Sequence, residues 1–249
     1  MRRFCFILVL FMFSYLTLSA TNYYTYAPTG TDVTNVNYWW TNTNGTGSHP
    51  PNFTTDGNVF YAQNGHNMTA SMQWSVRGTN SKVVIQRGGK ITTGAYNHNI
   101  ELDINYDGTY EVTHTSYSYL GFGEIDNNSN FVLNNSAIGF QDDVTYGNLF
   151  ITSGTADVYG STGITINGTL RIDLNGIWEG GQTNPHTCTI GNVLVNGGSF
   201  RGGVGAGTIT YNISGNVTVS SGTFYGSYSS GVCNYNIEGN LAVNGGTFY

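Results

Sequence analysis

From about Gly147 to its last residue, the chain repeats one short phrase every 21 to 24 residues: Gly147-Asn148-Leu149, Gly168-Thr169-Leu170, Gly191-Asn192-Val193, Gly215-Asn216-Val217 and Gly239-Asn240-Leu241. Each phrase runs on to a second apolar residue two positions later (Ile151, Ile172, Val195, Val219, Val243) and then to a glycine (Gly154, Gly176, Gly198, Gly222, Gly246). In the last four copies an aromatic follows that glycine: Trp178, Phe200, Phe224, Phe248. A unit this short cannot bury its apolar face alone, so neighbouring units must stack into a solenoid with a shared interior.

A leucine-rich repeat has a similar period, and the second half of each unit decides against it. That half reads Ile164-Thr165-Ile166, Cys188-Thr189-Ile190, Tyr211-Asn212-Ile213 and Tyr235-Asn236-Ile237. Alternation of this kind is strand periodicity, and no stretch after Ala20 has the apolar spacing of a helix. The expected fold is therefore all-β: a right-handed parallel β-helix over residues 81–249, with 21–24 residues per coil. Residues 21–80 lack the repeat and are assigned as a β-rich N-terminal cap. The chain stops in mid-repeat at Gly246-Thr247-Phe248-Tyr249, which reads as a truncation.

In this reading Val193, Val217 and Leu241 pile up inside, and Phe200, Phe224 and Phe248 form an internal aromatic stack. Leu102, three steps before Leu170, is expected in the same column. Asn148, Asn192, Asn216 and Asn240 should form a side-chain amide ladder at a corner, with the preceding glycines supplying a permissive backbone for the bend. Cys188 aligns with Tyr211 and Tyr235, whereas Cys233 aligns with Ile209. Two coil steps of about 4.8 Å place these cysteines farther apart than the roughly 7 Å Cα limit of a disulfide. Two buried free thiols are expected.

The chain opens with Arg2-Arg3, an apolar run from Phe4 to Leu18, and Ser19-Ala20. This pattern is a secretory signal peptide over residues 1–20, cleaved near Ala20, and it is too short for a membrane span. The expected location is secreted or at the outer cell surface, with no membrane span after cleavage. Removing the leader takes the formal charge from −6 to −8, which makes nucleic acid and anionic membrane poor partners.

Candidate chemistry is sparse. The outward ladder on the best-defined face is Phe150, Arg171, Leu194, Thr218 and Ala242, which share no chemistry; neither a threonine array nor a carboxylate row appears there. Asp103, Asn105, Asp107 and Glu111 occupy positions one, three, five and nine of a calcium-loop pattern, with Gly108 at six. Position twelve is His114 rather than a bidentate carboxylate, and Leu102, Ile104 and Tyr106 also alternate as a strand entering an Asp-Gly turn. Calcium is thus the single cofactor candidate. Trp39, Trp40, Trp74, Tyr117 and Tyr119 are the candidates for stacking on a sugar, although aromatics in a cap also serve as core.

The β-helix resembles the pectin-lyase-like superfamily, which implies polysaccharide lyase or glycoside hydrolase activity. Asp142-Asp143 resembles the adjacent aspartates of its hydrolases, and paired carboxylates suit glycoside hydrolysis. The Gly-His-Gly motif is missing, and Asp173 in Arg171-Ile172-Asp173 stands where those hydrolases carry lysine. If the chain is an enzyme, Asp142, Asp143 and Asp173 are its acids. A second resemblance runs from Pro50-Pro51-Asn52-Phe53 through Val59-Phe60, Gln63-Asn64-Gly65-His66 and Trp74-Ser75-Val76 into the coils. These segments are similar to the N-terminal region of large surface proteins exported by the type IX secretion system. That likeness implies a continuation beyond Tyr249 and attachment to glycans, cells or matrix. The leading expectation is a non-catalytic, adhesive surface protein. The alternatives are an enzyme on the same scaffold and a carbohydrate-binding N-terminal region.

Overall fold

A computed structural model describes residues 20–26, 31–114, 119–134, 136–140, 144–158, 163–181 and 185–249. Its described residues form a nearly all-β parallel solenoid, with one short 3-10 turn at Val36–Tyr38. Residues 1–19, which make up nearly all of the expected leader, and Tyr117, Asp142 and Asp143 lie outside the described residues.

The first apolar position of each phrase forms one continuous column. It runs through Met68, Ile91, Tyr110, Phe131, Leu149, Leu170, Val193, Val217 and Leu241, each in parallel register with the next. From Met68 to Val217 every member is buried, as a shared interior requires. Phe200, Phe224 and Phe248 are also in register, with ring centroids 4.2 and 4.8 Å apart and nearly parallel planes.

The early coils differ from the spacing argument. Leu102 is not in the Leu170 column, which Tyr110 occupies instead. Leu102 pairs with Val83 and Phe122 on another face of the solenoid. The steps from Ile91 to Tyr110 and from Phe131 to Leu149 are shorter than those of the second half, so counting back in steps of 23 lands on the wrong strand. Within residues 21–80, Asn22–Thr25 already pairs in parallel with Val59–Ala62, and Val59–Ala62 with Lys82–Ile85. Trp39–Trp40 folds back antiparallel against Tyr24 and Thr25.

The corner glycines act through space rather than through backbone freedom. Gly147, Gly168, Gly191, Gly215 and Gly239 do not have positive φ. A Cβ at Gly191 would collide with the carbonyl oxygens of Asn167 and Gly168, and one at Gly215 with the Asn192 side chain. The rungs approach too closely there for any side chain. Beside them, the asparagine ladder links side chain to backbone. Asn192 Oδ1 accepts from the Asn216 N–H and Asn216 Oδ1 from the Asn240 N–H, both at 2.9 Å, while Asn148 Oδ1 accepts from the Thr169 N–H at 3.0 Å.

Cys188 and Cys233, the cysteines among the described residues, are free. Cys188 pairs with Tyr211, Tyr211 with Tyr235, and Ile209 with Cys233, as the alignment requires. Cys188 is buried, whereas Cys233 is half-buried because it lies in the last coil.

Candidate functional site

Three aromatic doublets shape the N-terminal end: Tyr23-Tyr24, Trp39-Trp40 and Phe60-Tyr61. Strand alternation sends the two members of each doublet to opposite faces. Tyr23, Trp39 and Phe60 point inward and are buried. Trp39 packs edge-on against Phe60 at 5.3 Å and stacks with Trp74 at 5.9 Å, and its indole N–H donates to the Val33 carbonyl at 2.9 Å. Trp39 and Trp74 are therefore core, which removes both from the residues able to meet a sugar.

The second members form an outward strip. Tyr24 is opposite Trp40 on one side and Tyr61 on the other, and the Tyr24 and Tyr61 rings stack at 5.0 Å. All three are half-buried, and Tyr26, two residues beyond Tyr24, is 55% exposed. His49 lies against Trp40, with 3.8 Å between ring centroids, and its Nδ1 pairs with the Trp39 carbonyl at 2.9 Å. Trp40 is thus the sequence-nominated aromatic that stands in a surface cluster. Tyr119 begins the strand Tyr119–Ile125; its side chain lies outside what is described.

A second outward column follows the interior aromatics of the last coils: Asp157, Glu179, Arg201 and Tyr225 in successive register. Arg201 Nη1 meets Glu179 Oε1 at 2.6 Å, and its guanidinium lies 4.3 Å from the Tyr228 ring centre. Tyr225 stacks with Tyr249 at 5.3 Å.

Of the acids nominated by sequence, Asp173, Asp103 and Glu111 are each held in an ion pair. Asp173 accepts from Arg171 at 2.9 Å and from the Asn196 side chain at 3.1 Å; Arg171 also covers the Phe150 ring at 4.4 Å. Arg171 and Arg201, the basic residues of the regular coils, are each neutralised by a carboxylate in contact. Asp103 pairs with Lys82 at 2.5 Å and accepts from the Glu124 N–H at 2.8 Å. That carboxylate holds the Lys82 amine above the ordinary lysine range. Glu111 lies on a different strand ladder, paired with Lys90 at 2.5 Å and with the Asn134 amide at 2.8 Å. Partial burial would raise its carboxyl, but these partners outweigh burial and lower it. Asn105 and Asp107 are exposed, and Asp107 takes a left-handed turn conformation at φ 56°. The four calcium candidates are divided between two separate ion pairs and a turn.

The strip was hidden from the sequence for a specific reason. The doublets themselves are visible, and alternation says one member of each faces out. That Tyr24, Trp40 and Tyr61 become neighbours depends on the pairing of three strands, one of them antiparallel.

These features define the chain as a parallel β-solenoid with aromatic clusters on its outer surface. Compared with protein-family models, curated proteins and solved structures, it matches none. Among the described residues, no helix is long and apolar enough to cross a membrane.

Proposed function

We propose that this chain is an exported, non-catalytic β-solenoid that attaches to extracellular glycan through the strip formed by Tyr24, Trp40 and Tyr61. The observation that carries this reading is the convergence of three aromatic side chains, from three strands, on one outward face. Aromatic side chains combine a large apolar surface with a polar edge, which suits the mixed apolar and hydroxylated surface of a sugar. Backbone pairing of the three strands, parallel between Tyr24 and Tyr61 and antiparallel between Tyr24 and Trp40, gives the strip a fixed spacing, so little conformational entropy is lost when a glycan binds. The apolar leader and low charge of the sequence support export, and the type IX route is the one its resemblance implies.

The test is retention on a glycan array and on insoluble polysaccharides, run beside turnover assays on pectin and alginate. Trp40→Ala is expected to weaken retention about tenfold, the equivalent of about 1.4 kcal/mol. Tyr61→Ala should act in the same direction, and no turnover should be seen. Turnover abolished by Asp143→Asn would replace this reading with the enzymatic one.

A further inference from the structure

One face of the second half differs in chemistry from every other outward surface described above. On the rungs Gly163–Ile166, His186–Ile190, Thr208–Ile213 and Val232–Ile237, the inward side chains Ile164, Ile166, Cys188, Ile190, Tyr211 and Ile213 are buried. The outward ones form two longer columns in register, with a short third, Thr208 and the exposed Val232, at one side. The first is Thr145, Thr165, Thr189, Asn212 and Asn236. The second is Thr187, Thr210 and Asn234, with Gly163 at its head. All eight side chains are exposed or half-exposed.

Nothing in these columns is charged or aromatic. The other faces carry Glu111, Phe150 and Arg171, or Glu179, Arg201 and Tyr225. A chain with fourteen acidic residues therefore keeps these two columns neutral. The outward positions of a strand are not fixed by the core, so the buried interior does not require threonine or asparagine here. Rungs of a parallel sheet repeat at about 4.8 Å, and alternate residues along a strand at about 6.6 Å. The columns thus hold hydroxyl and amide groups on a two-dimensional grid. Threonine is stiff at χ1, and Asn236 Nδ2 donates to Asn212 Oδ1 at 2.8 Å, so both residue types in the columns have restricted side chains.

The ligand should be neutral and periodic in two directions, and should offer hydrogen bonds throughout. A glycan fits less well because no aromatic stands among the columns, and a protein partner less well because they hold no aromatic or arginine anchor and Val232 is a lone apolar residue at their side. We propose that this face binds ice, its ligand being the ordered water layer of a crystal surface. Threonine suits that ligand: the hydroxyl anchors a water while the methyl group sits between waters. A pre-ordered grid limits the entropy lost in immobilising them.

The experiment measures thermal hysteresis and partition into slowly grown ice for the chain after leader removal. Hysteresis and enrichment in the ice fraction are expected. Thr189→Tyr, a substitution compatible with a strand, should reduce both about tenfold, and Asn234→Lys should act likewise. Thr218→Tyr, outward on a different face, should leave both unchanged. Folding of each variant is checked by far-UV circular dichroism and urea midpoint. A folded parent chain that shows no hysteresis and is excluded from ice would overturn the proposal, as would equal loss in Thr218→Tyr. Trp40→Ala must leave ice binding intact, which separates this outcome from that of the glycan experiment.

Discussion

Acidification should weaken this fold well before its carboxylates titrate, and His98 is the main reason. The His98 ring is fully buried beneath the edges of Trp74 and Tyr110, with ring centroids 5.5 and 5.8 Å away, and its Nδ1 pairs with the Tyr110 hydroxyl at 2.8 Å. Burial, followed by the nearby His114, lowers its pKa from the ordinary 6.5 to about 3. In the unfolded chain the imidazole takes up a proton below 6.5, and in the folded chain it does so only near 3. The unfolded state therefore binds more protons throughout that window. The stabilisation is complete above pH 6.5 and is lost progressively toward pH 3. At pH 5 the loss from His98 alone is about 2 kcal/mol, and over the whole window about 5 kcal/mol. His66 and His114 are also lowered by burial and act in the same direction, so the His98 share is isolated by substitution. Urea unfolding at pH 7.5 and 5.0 is compared for the parent chain and for His98→Gln. The variant is expected to be less stable at pH 7.5 but to lose about 2 kcal/mol less on acidification. An unchanged pH dependence in His98→Gln would refute the reasoning, as would an NMR titration of the His98 ring near 6.5.

Two further outcomes follow from packing. At Gly198 a Cβ would collide with the carbonyl oxygens of Asp173 and Gly176, so Gly198→Ala should cost about 1–3 kcal/mol in urea unfolding; a neutral effect would mean the rungs are looser than described. Cys188 is buried, and burial pushes its thiol up to about 12, so it should resist alkylation until the chain unfolds. Cys233, half-buried, should react first, and intact mass under non-reducing conditions should show no bond between them.

The second half of the fold was readable because its signal is local and repeated. Gly-Asn-Val at 191–193 and 215–217 needs only equal spacing to predict that Val193 lies over Val217, and interior burial enforces that register. The first half was less readable because its coils vary in length. Leu102 and Tyr110 are both apolar and eight residues apart, and spacing alone picked the wrong one for the Leu170 column. The candidate surfaces were harder still. Thr165, Thr189 and Asn212 are visible as the middle residues of alternating triplets, but the outward ladder that the repeated phrase makes explicit is a different one, that of Phe150 and Arg171. Trp39 and Trp40 could not be ranked without knowing which one faces the core.

Period and alternation in the sequence determined by themselves that this chain stacks parallel strands around one interior, because apolar residues at matching positions have nowhere else to be buried. Only the tertiary structure decided which outward residues become neighbours. Tyr24 meets Trp40 across an antiparallel return, Asp103 and Glu111 part to different lysines, and threonines from separate coils align into a grid. Such contacts arise between rungs, at distances along the chain that vary with each loop, and loop length has no hydrophobic pattern to announce it.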